Sequence, residues 1–247
     1  MRLVTTDAIV LRTYNLAESD RIVVCLTQSA GLVRGVAKGA RRMKSRFGAA
    51  LEPFTLIKLA YHEKENRELV SISSTDILKS HFNLNLKPEV AEVLAYMGEL
   101  IGEFAPPHEA DERLFRMLAA CVDALASIDG AERQLTRYFE IWILRLAGLF
   151  PDLGACVDCG LELDEAAPTV VDADLNSYCK NCQPHAPSQL SPEVIAAIRG
   201  SSRLSPVNFV QRFQLTDQED LLLSGLTHRL ISRAIERRPR TLVAVPR

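Results

Sequence analysis

Near residue 80 the apolar positions of this chain stop recurring at every second residue and begin to recur at every third or fourth. A strand turns alternate side chains to one face, whereas a helix gathers them on a stripe with a period of 3.6, so neither pattern can be buried as the other. The switch therefore predicts an α+β protein with a β-rich domain over residues 1–80 and a helical domain over 81–247. Five β-type runs precede it: Val4 to Leu11, Arg21 to Thr27, one starting at Gly31, Phe54 to His62, and Leu69 to Leu78. In the fourth, Ile57, Leu59 and Tyr61 share a face opposite Lys58; in the fifth, Val70 and Ile72 alternate with Ser71 and Ser73. Five short strands in so little chain predict a small closed barrel. An OB-fold is the five-stranded solution that also binds nucleic acid, and an SH3-like barrel fits the alternation as well.

Beyond Pro88, Val90, Val93, Leu94, Met97 and Ile101 form a helical stripe that ends at Pro106-Pro107, next to His108 and Glu109 in an expected surface loop. Leu114, Leu118, Val122 and Leu125 mark a second helix, and Leu135, Tyr138, Phe139, Trp142 and Leu146 a third. Three such stripes predict an antiparallel bundle. Helical signals resume at Ser191-Pro192-Glu193, a cap followed by proline, and at Thr216 and Glu219, which have capping-box spacing.

Residues 150–188 interrupt the helices with Cys156-Val-Asp-Cys159 and Cys179-Lys-Asn-Cys182, two pairs separated by 19 residues. This spacing lets four thiolates surround one tetrahedral zinc, and Gly160 permits the tight turn after the second ligand. A shell of four thiolates is closed, so the expected Zn2+ is structural, and His185 is surplus as a ligand. Cys25 and Cys121 stand alone in apolar patterns and read as buried. No apolar run reaches the ~18–20 residues that span a bilayer, and the N-terminus lacks the apolar stretch of a signal peptide. The expectation is a cytoplasmic protein with reduced cysteines and no membrane partner.

Charge divides unevenly. Residues 1–79 hold 13 Lys and Arg against 8 Asp and Glu, a balance of +5 in a chain whose net charge is -2. Between Asp20 and Glu52 there is no acid at all, yet Arg34, Lys38, Arg41, Arg42, Lys44 and Arg46 crowd into a glycine-punctuated stretch, GVAKGARRMKSRFG. Cations without compensating acids neutralise phosphates, which makes these six the candidate nucleic-acid contacts. The aromatics available for stacking on bases are Tyr14, Phe47, Phe54 and Tyr61, each of which also fits a core role. Among catalytic motifs, GxxxxGK[ST], HExxH and GxSxG are all missing.

AIVLRTYNLAESDRIV, GVAKGARRMKSRFGAALEPF, and LAGLFPDLGACVDCG with its closing CKNC together resemble the RecO-type DNA repair and recombination mediators, over essentially the whole chain. The resemblance implies an N-terminal OB domain, a C-terminal helical domain and a zinc knuckle. It also implies a non-enzymatic, nucleoid-associated protein that binds single- and double-stranded DNA and anneals complementary strands. With a RecR-type partner it would help load recombinase onto DNA coated by single-strand-binding protein (SSB). Some members engage the acidic C-terminal tail of SSB, for which the cationic helix around Arg229, Arg233 and Arg237 is the candidate here. Two other readings stand beside this one: a protein-interaction adaptor whose basic face is incidental, and a metallohydrolase, which would need an open metal coordination site.

Overall fold

Strand β1 (Arg2–Leu16) is long enough to serve two neighbours. Its first half pairs with β4 (Leu56–Glu63), from Arg2↔Glu63 to Ile9↔Leu56, and its second half pairs with β2 (Asp20–Thr27), from Ala8↔Thr27 to Leu16↔Asp20. A bulge between Val10 and Arg12 bends the strand from one partner to the other. With β3 (Gly31–Ala37) and β5 (Val70–Lys79) the ring closes in the order β1-β2-β3-β5-β4, the OB-fold expected from the sequence. The chain is described here from a computed structural model covering residues 2–63, 68–107, 109–164, 167–183, 185 and 187–241; His108 lies outside the described residues.

Four of the five strand contacts are antiparallel and extensive. The fifth, between β3 and β5, is parallel and rests on two residue pairs, Gly35↔Val70 and Val36↔Ser71. Gly35 is what allows it. A β-carbon there would sit 2.7 Å from Ile72 Cγ1 and 2.9 Å from Val70 Cγ2, closer than packed carbons tolerate. The glycine that punctuates the cations in the sequence thus belongs to the barrel seam. Ala8, Val10, Val23, Val33, Ile57, Leu59, Tyr61 and Ile72 fill the interior, together with Cys25. Burial pushes the Cys25 thiol up to about 12, so it is an inert core residue as expected, and burial likewise raises Cys121.

The chain divides into two compact units, Met1–Ala126 and Ser127–Arg247. In the first, α1 (Pro88–Phe104) crosses β1 closely: a β-carbon at Gly98 would lie 3.3 Å from Phe54 Cζ, and one at Gly102 would lie 3.1 Å from Arg12 Nη2. Helix α2 (Glu112–Ser127) follows. No helix among the described residues is long and apolar enough to cross a membrane.

The second unit is arranged around α3 (Glu132–Leu146), which packs on α4 (Pro192–Ser201), α5 (Pro206–Arg212) and α6 (Asp217–Ala234). Of the three apolar stripes expected from the sequence, those of α1 and α2 fall in the first unit and that of α3 in the second. Tyr138 Oη donates to the Leu204 carbonyl at 3.0 Å and Trp142 Nε1 to that of Ser201 at 2.7 Å, which fixes α3 against the C-terminal end of α4. The Ser191 cap and the Thr216–Glu219 capping box form as the sequence signals. Between α3 and α6 lies a buried polar cluster. Fully buried Glu140 accepts from Arg137 Nη1 at 2.5 Å and from Thr227 Oγ1 at 2.7 Å, with His228 Nε2 2.8 Å away. Burial alone would raise the Glu140 pKa, but the Arg137 charge and the bonds from His228 and Thr227 outweigh it and leave it lowered.

Gly35→Val should prise the β3–β5 seam apart and cost about 1–3 kcal/mol, as overpacking does. Urea denaturation should show a lower midpoint at an unchanged slope.

Candidate nucleic-acid interface and metal centre

The cationic segment begins on β3 and continues past its end. Arg34 alternates with the inward residues Val33 and Gly35, so its side chain leaves the barrel and is exposed. Lys38, Arg41, Arg42, Lys44 and Arg46 follow in the turn after Ala37, and all five are exposed. Among the described residues, none of the six cations forms an ion pair. The turn is nonetheless held in place from below. Asp20 Oδ1, at the start of β2, accepts from the Gly39 amide at 2.8 Å; the Ser19 carbonyl accepts from the Arg41 amide at 2.9 Å; and Arg41 Nη1 donates to the Ala17 carbonyl at 3.1 Å. At the far end the Arg46 guanidinium lies 4.9 Å from the centroid of the Phe47 ring, which is itself buried. A short 3-10 turn, Gly48–Leu51, then returns the chain to the barrel.

The Gly39 amide, then the Ser19 hydroxyl, hold the Asp20 carboxyl below its ordinary value, with smaller help from the charges of Lys38 and Arg42. In the sequence Asp20 is only the edge of the acid-free stretch. Its actual part is to tie the β1–β2 turn to the cationic one, a contact 19 residues apart that no local pattern encodes.

The four cysteines converge. Their sulfurs all lie within 4.8 Å of one another, and Cys159 Sγ is 3.7 Å from Cys179 Sγ. Bonds of ~2.3 Å to a tetrahedral ion place sulfurs ~3.8 Å apart, whereas a disulfide needs ~2.05 Å. The donor set can hold a metal ion. Two short loops build it. In the first, Gly160 takes φ +72°, its amide donating to the Cys156 carbonyl at 2.9 Å. In the second, β7 (Ser177–Tyr178) feeds directly into Cys179, and the Cys182 amide donates to the Cys179 carbonyl at 3.1 Å. Strand β7 joins β6 (Thr169–Val171) and β8 (Ser188–Leu190) in a small sheet that sequence reading did not anticipate. The Cys179 amide, first among several backbone donors, lowers Cys156 to about 6, while the Cys179 thiol, first among its neighbours, pushes Cys182 up to about 12. Four sulfurs at this spacing ionise together only around a cation. His185 is exposed and stands outside the group.

Of the candidate cations, Arg229 and Arg233 lie on α6 while Arg237 falls beyond its end at Ala234, and the two on the helix are partly engaged. Arg233 Nη1 lies 3.0 Å from Asp174 Oδ2 and Arg229 Nη1 donates to the Ala173 carbonyl at 3.3 Å.

An OB-fold barrel with an unpaired cationic turn, followed by a helical part with four cysteines placed to hold a metal ion, defines a modular, two-part class of protein. Family models narrow it: residues 1–81 match the N-terminal part of recombination protein O and residues 91–242 its C-terminal part. The chain belongs to the RecO family of DNA repair and recombination proteins. It is 39% identical over 162 residues to a DNA repair protein RecO of Koribacter versatilis, covering 66% of each chain. It is 35% identical over 191 residues to one from Anaeromyxobacter sp. strain K (77% of this chain, 74% of that one). With one from Geobacter sulfurreducens it shares 32% identity over 218 residues, 85% of this chain and 86% of that one.

Asp20 stabilises the turn only while ionised. Because its pKa is depressed in the folded protein, this contribution is complete above the unfolded carboxylate value of ~3.9 and disappears as pH falls through the lower folded value. Asp20→Ala should therefore speed hydrogen exchange at the Gly39 amide at neutral pH while leaving amides of β4 protected.

Proposed function

We propose that this protein binds single- and double-stranded DNA through Arg34, Lys38, Arg41, Arg42, Lys44 and Arg46, and anneals complementary strands without bond chemistry. What supports the reading is the state of those cations: six exposed charges on one strand and the turn after it, with no ion pair among the described residues. Annealing requires only that two phosphate backbones be screened long enough for bases to meet, and a cationic barrel surface supplies that screening without nucleotide hydrolysis. Residues 1–80 would form the DNA-binding domain and 81–247 the helical domain. Family membership supports a place in recombinational repair, in which a RecR-type partner joins the protein in loading recombinase onto SSB-coated DNA in the cytoplasm, at the nucleoid. The acidic tail of SSB would meet Arg229 and Arg233 on α6 and Arg237 beyond its end, exchanging the Asp174 carboxylate for its own.

Cys156, Cys159, Cys179 and Cys182 would hold a structural Zn2+. The ion's chemistry here is charge neutralisation of four thiolates, and the order it confers, about 10–16 kcal/mol in comparable sites, suits a segment with little apolar surface.

Two measurements test this. Six phosphate contacts on a single strand give a log–log salt slope near -4, and Arg41→Ala with Arg42→Ala should lower it to about -3 while weakening binding alike on all sequences. Binding and slope that do not change would favour the adaptor, with an incidental basic face. Elemental analysis should find about one zinc per chain, lost in Cys179→Ser, and X-ray absorption should show sulfur ligands alone. Nitrogen or oxygen in that shell would instead point to an open, hydrolytic site.

A further inference from the structure

Stacking on bases needs an aromatic face that the fold leaves accessible. Of the four candidates, Phe47, Phe54 and Tyr61 are at most 3% exposed, while Tyr14 is 50% exposed. Among the described residues its hydroxyl makes no hydrogen bond. Its place in the sheet is fixed by register. Tyr14 pairs with Ile22 on β2, and Ile22 pairs with Val36 on β3, so the three form one row across the outer face. The neighbouring row is Arg12, Val24 and Arg34. Between the two rows lie Thr13, Val23 and Gly35, and Val23 fills the barrel interior, so both rows lie on its outer face, where Val24 is covered and Tyr14 is not. Two strand spacings, about 10 Å, separate Tyr14 from Val36, and Arg34 and Lys38 flank Val36 at two residues either side.

This row therefore sets an exposed ring and two half-buried aliphatic side chains, Ile22 and Val36, beside two of the exposed cations. The Arg12 guanidinium lies 6.0 Å from the Tyr14 ring centroid, at the limit of a cation–π contact, and limits where the ring can swing. The ring is also close to the cationic turn along the chain: the β1–β2 turn that follows it is the one that Asp20, Ser19 and Ala17 bind to residues 39–41.

We propose that Tyr14 is a stacking platform for an unpaired nucleobase, on a strand whose phosphates are held by the neighbouring cations. The proposal rests on the DNA-binding reading above and adds to it a source of preference for single strands. A duplex keeps its bases stacked on each other and offers phosphates alone, whereas an open strand offers both groups. Cations alone would treat the two backbones by charge; Tyr14 distinguishes them by whether a base face is free.

The test compares an oligothymidylate with an abasic strand of equal length and equal phosphate count, by fluorescence anisotropy at fixed salt. The wild-type chain should bind the base-bearing strand more tightly. Tyr14→Ala should weaken that binding roughly tenfold and bring the two strands level, and Tyr14→Phe should keep the difference. Tyr14→Leu, which preserves bulk without an aromatic face, should behave as the alanine variant does and serves as the reading if Tyr14→Ala is poorly folded. Wild-type binding that is equal on both strands, or a preference that survives in Tyr14→Leu, overturns the stacking role and leaves the phosphate contacts standing. Failure of the wild-type chain to bind either strand removes the DNA interface and Tyr14 with it.

Discussion

Closure of the barrel depends on a place where backbone must meet side chains with nothing in between. Strand β3 reaches β5 through two parallel pairs, and the space at Gly35 is already occupied by Ile72 and Val70. This seam sets the direction in which β3 leaves the barrel, and so where the turn carrying Lys38, Arg41, Arg42, Lys44 and Arg46 begins. A second constraint then fixes the turn itself. The Asp20 carboxylate and the Ser19 carbonyl bind its amides, while the cations remain directed to solvent. Backbone donors satisfy the acid and the cations are left without ion pairs among the described residues, which keeps a positive surface ordered without neutralising it.

The second unit solves a different problem. Its helices bury Arg137, Glu140 and Asp220, whose desolvation is tolerable only because each charge finds an opposite partner or a hydrogen bond. Burial raises the Asp220 pKa despite the charges of Arg137 and Arg133, whereas Glu140, with Thr227 and His228 added, ends below its usual value. The cysteine loops follow the same logic with sulfur: backbone donors favour one thiolate, and four can ionise together once a cation lies among them.

What could be read from the sequence was what repeats or what is local. Alternation in β4 and β5 located their strands, and the caps at Ser191 and Thr216 formed where the residue types required. The paired cysteines converge because two tight turns can be recognised from their spacing. The alternation of β1 stops near Leu11, where the bulge breaks it, although the strand continues to Leu16. Helix α5 and the small sheet β6–β8 are too short to establish a period. The Glu140 cluster was hidden because charged residues on a helix look solvated until another helix covers them. Asp20 was visible as a residue, but its partner depends on three strands first finding their register.

Helix α1 is less an appendage of the barrel than a part of its wall. Gly98 lets it settle against Phe54 and the Leu11 backbone, and just beyond its end Pro106 and Pro107 meet the β2–β3 hairpin at Gly31 and Leu32. Dissecting the protein at residue 81, where the N-terminal family match stops, would strip that cover and leave a sticky, poorly soluble fragment. A cut after Ala126 keeps helix and hairpin together, and gives the piece suited to titration by NMR.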